Sequence, residues 1–155
     1  MPRDYWVPFG PTAETLAVDV FELTPAANKL IEILEIIIGQ TTELGDAAEE
    51  QLVLDIIRGH TTSGSGGAAV TPTPVDPNDP AAGFVAETLN TTQATVGTTT
   101  VGPRIPWNVR TGLERIWAPG EGPKAHAGNT TIVGRLNAAP ADSITLAGYL
   151  KVREY

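Results

Sequence analysis

The sequence predicts an all-β protein: a two-sheet sandwich, jelly-roll-like, of about eight strands, with an extended N-terminal arm and one long loop. Three observations predict this fold class. Short runs rich in threonine, aromatic and β-branched residues are bounded by glycine or proline, as is typical of strands joined by turns. The 16 glycines and 13 prolines are too many for a helical bundle. A chain of 155 residues has room for one core and little for a second.

Residues 1–14 predict an extended arm in front of a single domain that spans residues 15–155. The segment contains three prolines and no hydrophobic periodicity, and proline fixes φ and removes a backbone donor. Such an arm need not join a sheet, so we expect its deletion to leave the β-structure intact. The residues of the arm predicted to contact a partner are Tyr5, Trp6 and Phe9.

Eight segments of the remaining chain predict strands. They span residues 16–23, 30–38, 50–58, 84–89, 98–105, 108–117, 130–136 and 143–153. In the last segment, apolar residues and one glycine occupy every second position from Ile144 to Val152, while Tyr149, Lys151 and Arg153 point the other way. This alternation predicts a strand with one solvated face.

Residues 30–38 and 50–58 also fit a helical hairpin. Asn28 and Asp46 are suitable helix caps, and Gly39 is a suitable stop. Isoleucine recurs through both segments, however, and β-branched side chains lose rotamer freedom in helices and pack well in strands. We therefore favour two strands joined by the acidic connection 41–50.

Residues 59–83 form a long segment without periodicity between two predicted strands. Loops of this length in a compact domain are usually binding elements or linkers. Prolines stiffen its second half and residues 64–67 loosen its first half, so we predict an insertion that lies along a partner. The predicted contacts in it are His60, Thr61, Thr62, Ser63, Pro72 and Pro74.

The sequence contains no complete catalytic or cofactor-binding motif. Residues 64–69 fit the letters G-x-G-x-x-A, but Pro72 and Pro74 forbid the helix that a phosphate-binding turn needs. Ser63 and Ser65 miss the frame of a nucleophile elbow. We therefore predict that the chain is not an enzyme and that it binds no cofactor.

Metal binding is not predicted either. His60 and His126 have no second ligand at a recurring metal spacing. The segment 76–79 carries oxygen ligands, but its prolines indicate turns rather than a calcium site. A further acidic group is interpreted as a solvated loop, and it consists of Glu43, Asp46, Glu49 and Glu50.

The charge limits the classes of partner. A formal net charge of -8 argues against nucleic acid, because phosphate neutralisation requires a basic face. No run approaches the roughly 18 apolar residues of a membrane span, so we expect a protein that is made in a cytosol and has no membrane partner. Cysteine is absent, which excludes disulfides.

Tryptophans and arginines supply the remaining candidate contacts. Trp107 and Trp117 suit a sugar-stacking platform, although core or interface anchors are the more common role of tryptophan. The polar anchors predicted to bind a partner are Arg104, Arg110 and Arg115.

Several stretches, taken together, carry a resemblance to a known group of proteins. They are residues 21–26, 38–50, 57–67, 81–84, 90–92, 107–110, 127–130 and 138–142. The chain resembles small proteins encoded by tailed bacteriophages and prophages, over all but the first 20 residues or so.

The resemblance implies a structural role in the virion. Phages use small, acidic, cysteine-free β-sandwich proteins as cement on the outside of the head, where they bridge capsomers. The implied partner is the major capsid protein, with self-association into dimers or trimers and a final location on the capsid surface. The alternative is a glycan- or receptor-binding module of a tail or fibre.

Overall fold

The structure is a computed structural model that describes residues 1–42, 49–126 and 131–155. These residues form twelve strands and no helix. The strands are β1 (Arg3–Glu14), β2 (Asp19–Thr24), β3 (Leu30–Gln40), β4 (Gln51–His60), β5 (Ala68–Val70), β6 (Thr73–Pro74), β7 (Val85–Asn90), β8 (Thr100–Asn108), β9 (Leu113–Ile116), β10 (Lys124–His126), β11 (Thr131–Leu136) and β12 (Ile144–Glu154).

Two antiparallel sheets of six strands each form a sandwich. Sheet A has the order β6-β1-β12-β3, and both β9 and β10 pair with the remaining edge of β3. Sheet B has the order β5-β7-β2-β11-β4-β8. Successive strands from β1 to β4 alternate between the two sheets, so the chain crosses the sandwich at each connection.

The strand order confirms the predicted jelly-roll-like sandwich. If β9 and β10 are taken as one interrupted strand, the set β1-β12-β3-β9/β10 lies opposite β2-β11-β4-β8. This is the pairing of two Greek keys in an eight-stranded jelly roll. The strand count is higher than predicted because β1, β5, β6 and β10 were not predicted as strands. Strands β5 and β6 lie at the edges of the two sheets, beside β7 and β1 respectively.

The core lies between the sheets and draws on nearly every strand. Its largest fully buried side chains include Tyr5 of β1, Phe21 of β2 and Ile36 of β3. The rings of Tyr5 and Phe84 meet edge to face at 5.7 Å, a favourable geometry for aromatic pairs. One continuous apolar cluster results.

The preference for strands in residues 30–58 is confirmed. The isoleucines of β3 include Ile31, Ile33, Ile36 and Ile38, all of which are buried. A bulge in the pairing of β3 with β12 shifts the inward positions by one residue between Ile33 and Ile36. Most of the acidic connection between β3 and β4, residues 43–48, lies outside the described residues.

The prediction of a free N-terminal arm is wrong. Residues 3–14 form β1, which pairs with β12 from Arg3 opposite Glu154 to Glu14 opposite Ile144. The prolines led to the wrong prediction. The backbone nitrogen of Pro8 points away from β12, toward the side of β1 on which β6 lies, and β6 ends before it reaches Pro8. Its missing N–H therefore costs no ladder bond, which is where a sheet tolerates proline.

The long segment 59–83 is more regular than predicted. It contains β5, which pairs with β7 in sheet B, and β6, which pairs with Tyr5 and Trp6 of β1 in sheet A. Residues 61–66 also run antiparallel to residues 91–96, with bridges from Thr62 to Thr95 and from Ser65 to Thr92. We call these two segments the ribbon, and it links β4 to the far edge of sheet B.

Candidate binding surfaces

No metal-binding group of three or more His, Cys, Asp or Glu side chains occurs in residues 1–42, 49–126 and 131–155. Two members of the predicted acidic loop, Glu43 and Asp46, lie outside these ranges. Several acids are nevertheless buried, and their partners decide whether they are structural.

Asp19 is a structural acid that holds the ribbon onto β2. Its carboxylate accepts hydrogen bonds from Arg135 Nε at 2.6 Å and Nη2 at 3.0 Å, and from the amide of Ala94 at 2.7 Å. Arg135 also donates to the carbonyl of Ala94 at 2.8 Å. A fork of this kind combines strength with a fixed geometry, so the ribbon is tied to the body of sheet B.

Glu22 and Asn90 fasten the other segment of the ribbon. Glu22 Oε2 accepts from the amide of Gly64 at 2.9 Å and from Asn90 Nδ2 at 3.4 Å. The amide of Gly67 donates to Asn90 Oδ1 at 3.2 Å. The glycines serve this close approach, because a Cβ on Gly64 would lie 2.5 Å from the carbonyl oxygen of Thr92. The glycine-rich sequence therefore reflects tight packing here rather than a loose turn.

Glu32 fastens the segment between β9 and β10. It is fully buried, and it accepts from the amides of Gly120 at 2.9 Å and Gly122 at 2.8 Å and from the hydroxyl of Tyr155 at 2.6 Å. Lys124 lies 3.2 Å away. Burial alone would raise the pKa of Glu32, but these donors outweigh it and hold the pKa below its usual value.

The outer face of sheet A carries exposed apolar side chains on two of its strands, β1 and β9. The strand register places two rows of four side chains across it. The rows are Trp6, Lys151, Glu35 and Ile116, and then Pro8, Tyr149, Ile37 and Glu114. At about 4.8 Å per strand, the rows span roughly 15 Å. Trp6 is 42% exposed and Ile116 is 60% exposed.

A charged pair borders this outer face. Arg153 donates to both carboxylate oxygens of Asp4, at 2.7 and 3.0 Å, and Lys151 lies 3.5 Å from the same carboxylate. The hydrogen bond from Arg153 lowers the pKa of Asp4. The outer face of sheet A therefore combines aromatic and aliphatic side chains with charged groups that are already paired.

The three predicted arm contacts divide between the core and the surface. Tyr5 and Phe9 are buried between the sheets, where Tyr5 donates through its hydroxyl to the carbonyl of Pro80 at 3.2 Å. Both are unavailable to a partner for this reason. Trp6 alone points outward, because successive side chains of a strand alternate between faces.

The predicted loop contacts are also divided. Thr61, Thr62 and Ser63 are exposed on the ribbon. His60 is only 7% exposed, and neither of its ring nitrogens has a hydrogen-bond partner. Pro72 is buried and Pro74 is half-buried in β6.

The three predicted arginine anchors lie on the opposite side of the sandwich from β1. Arg104 on β8 pairs with Asp55 at 3.3 Å. Arg110 lies 3.7 Å from Glu49, and the guanidinium of Arg115 lies 5.2 Å from the ring centre of Trp117. The structure therefore does not bring the arginines together with Trp6 or with the ribbon.

Trp117 lines a small cleft on that side of the molecule. The cleft has a volume of about 310 Å³, and its wall includes Arg58, Pro103 and Lys124. Trp107 does not contribute, because it is buried in the core with its indole nitrogen unpartnered. The predicted pair of stacking tryptophans is thus reduced to one.

The sequence did not predict that Ile37 and Ile116 lie on the same outer face of a sheet. The signal was present in β12, where the alternation placed Tyr149 and Lys151 on the solvated side as the structure does. Their neighbours on β1, β3 and β9 follow only from the strand register, which is not a local property of the sequence.

No protein-family model, curated protein or solved structure matches this chain. Within the described part of the chain there is also no helix long and apolar enough to cross a membrane.

Proposed function

We propose that this protein is a structural component of a tailed-phage virion, a decoration or cement protein that binds the outside of the head and bridges capsomers. The resemblance in the sequence supports this role. So does the β-sandwich fold itself, which is the architecture that the resemblance implies. Its partner would be the major capsid protein, and its location the capsid surface after synthesis in the host cytoplasm.

The observation that carries the proposal is the outer face of sheet A. Trp6 and Ile116 stand at its two sides and remain substantially exposed, although both are side chains that folding usually hides. Tryptophan is among the residues that dominate interface energetics. A flat face with apolar groups at both ends is suited to lie across two neighbouring subunits of a shell.

The charged groups of the same face would set its orientation on the shell. Asp4 and Arg153 are already paired, and Tyr149 donates to Glu35 at 2.9 Å. Side chains that are held in place before contact lose less conformational entropy on binding. The acidic net charge of -8 would also discourage random self-association away from the shell.

Binding to undecorated heads tests the proposal. We expect purified protein to saturate the heads at a fixed stoichiometry and to raise their resistance to heat. Trp6→Ala should weaken binding at least about tenfold, as expected for a tryptophan anchor. The matched control is Val85→Ala, which removes an exposed aliphatic side chain from sheet B and should bind normally. Protein that ignores heads would overturn the cement role.

Self-association into dimers or trimers belongs to the same proposal. Small shell proteins commonly follow the local symmetry axes of the assembly they bind. Sedimentation velocity of the free protein would show whether oligomers form before binding. If the free protein is a monomer but saturates symmetry-related positions on heads, its copies associate only on the shell.

A glycan- or receptor-binding module of a tail or fibre is the second candidate. The cleft beside Trp117 favours it, because an indole next to charged and polar groups can stack against a sugar ring. Retention on host cell envelopes, with loss of retention in Trp117→Ala but not in Trp6→Ala, would support this function over the first.

A further inference from the structure

A groove runs along the edge of the sandwich where β1 and β5 face each other. Its walls are residues 8–14 of β1, residues 66–71 around β5 and the end of β7. We call it the edge groove. Its volume of about 630 Å³ lies within the range of ligand-binding sites. The small side chains of Ala68 and Ala69 and two adjacent glycines keep this space open.

Glu14 is a buried acid in the wall of the edge groove. It is 4% exposed, and burial is the one influence on its pKa, which is raised. In contrast to Asp19, Glu22 and Glu32, it receives no hydrogen bond from any residue in the described ranges. The oxygens of its carboxylate are not fully enclosed but reach the groove. Burial of the rest of the side chain disfavours the charged form, and a cation in the groove would offset that cost.

The other described residues that line the edge groove bring no positive charge to it. None of the groove residues is Lys, Arg or His. Strand β6 covers β1 only at Tyr5 and Trp6, so the backbone of β1 beyond Trp6 has no strand on that side. Pro8 and Pro11 remove N–H groups there, and the exposed hydroxyls of Thr12 and Thr91 can accept hydrogen bonds.

We propose that the edge groove receives a Lys or Arg side chain from an extended segment of the partner protein. The cation would complete the ion pair with Glu14, and the flanking chain would lie along the free edge of β1. This inference rests on the proposed function in one respect, which is that the partner is the capsid protein. The chemistry itself follows from the groove alone.

The prolines also argue against simple strand addition at this edge. A partner strand that pairs with β1 needs donors as well as acceptors from it, and Pro8 and Pro11 supply none. Proline at a sheet edge is a common means of preventing unwanted pairing. Recognition through a single cationic side chain avoids this obstacle.

The first experiment tests the groove without any phage component. The probe is a capped pentapeptide of threonine and valine with a central arginine, and its control contains citrulline, which is the neutral isostere. Amide NMR shifts of Gly66, Gly67 and Ala69 report binding. We expect the citrulline peptide to bind roughly 10- to 100-fold more weakly, as for loss of a charge-assisted hydrogen bond. Equal binding of the two peptides would overturn the inference.

Glu14→Gln separates charge recognition from folding. The substitution keeps the shape and removes an unpaired buried charge, so we expect a folded protein with an unfolding midpoint equal to or above that of the natural chain. It should abolish the preference for arginine over citrulline. The matched control, Glu121→Gln, makes the same change at an exposed position on the opposite side of sheet A and should keep the preference. A preference that survives in Glu14→Gln would overturn the proposal.

Head binding then distinguishes the two proposals. If the natural chain binds heads and Glu14→Gln binds equally well, the groove inference fails and the cement role stands. If the arginine preference depends on Glu14 but heads are not bound, the groove stands and the cement role fails. If the natural chain dimerises and Glu14→Gln is monomeric, a second copy occupies the groove and the capsid segment is rejected.

Discussion

At Glu32, a fully buried carboxylate is satisfied by donors from three separate parts of the chain: two loop amides, the side chain of Lys124 and the hydroxyl of Tyr155. Glu14 is buried to a similar degree and has none of these. The difference shows why burial of an acid does not identify its role. A satisfied acid is part of the framework, whereas an unsatisfied acid in a groove is a candidate recognition group.

Glu32→Gln should therefore destabilise the protein in a pH-dependent way. The amide cannot accept at both positions, so we expect the free energy of unfolding to fall by about 1–3 kcal/mol at neutral pH. Because the folded-state pKa of Glu32 is below its usual 4.5, its contribution is present above that value and is lost as the pH falls through the folded pKa. Urea unfolding measured from pH 7 to pH 3 should show that the difference in free energy of unfolding between Glu32→Gln and the natural chain becomes smaller.

The exposed substitution Glu121→Gln is the control for this series. It should follow the pH curve of the natural chain throughout. If the difference in free energy of unfolding between Glu32→Gln and the natural chain stays constant as the pH falls, Glu32 acts through its shape and not through its charge.

Among the strands, β1 is the one whose position in the fold differs most from the prediction. It lies inside sheet A between β12 and β6, and it places Tyr5, Val7 and Phe9 in the core. A segment in this position is part of the folding unit. It cannot be studied as a detachable binding arm.

Deletion of residues 1–14 should consequently unfold the protein rather than merely weaken binding. The deletion removes the ladder with β12 and three buried side chains, each worth about 1.5–3 kcal/mol or more, against a typical total stability of 5–15 kcal/mol. Far-UV circular dichroism should show loss of the β-signal. Removal of Met1 and Pro2 alone, which precede β1, should leave the spectrum unchanged. A native-like spectrum for the long deletion would contradict the position assigned to β1.

At the scale of the whole molecule, the two sheets share one core. One apolar cluster draws on both sheets, and β5 and β6 link the sheets at the edge formed by β1 and β2. Pairings such as β1 with β12 join residues from opposite ends of the chain. Folds dominated by contacts of this kind fold slowly, in milliseconds to seconds.

We expect a single unfolding transition for the full chain. Tryptophan fluorescence, which reports Trp107 in the core, and far-UV circular dichroism should give coincident curves in urea. Separated curves would instead indicate two independently stable parts. A matched measurement in Trp6→Ala would remove the contribution of the exposed indole without touching the core.

Local patterns of the sequence predicted much of the fold. The alternation in residues 143–153 identified both faces of β12, and the isoleucines of residues 30–38 were sufficient to favour a strand over a helix. Both are short-range signals, which depend on the side-chain period of a strand and on rotamer freedom.

The features that local patterns missed all depend on distant partners. From the sequence alone, Pro8 predicts a break in a strand, because nothing nearby in the sequence shows that it lies at a sheet edge past the end of β6. Residues 64–67 predict a flexible turn for the same reason, since Thr92, which packs against them, is distant in the sequence. Glu14 gave no signal, because an isolated acid after a threonine–alanine pair looks like any solvated residue. Its burial depends on residues that are distant in the sequence, such as Ile144 opposite it on β12.

The pairing of Arg3 with Glu154 has a further consequence for engineering. Cross-strand neighbours lie about 5 Å apart, so the two ends of the polypeptide emerge side by side from the same end of sheet A. A short linker from Tyr155 to Met1 would close the chain into a ring, and new termini could then be opened in an exposed turn such as that around Gly120. Two cargo proteins, one fused before Met1 and one after Tyr155, would be held next to each other.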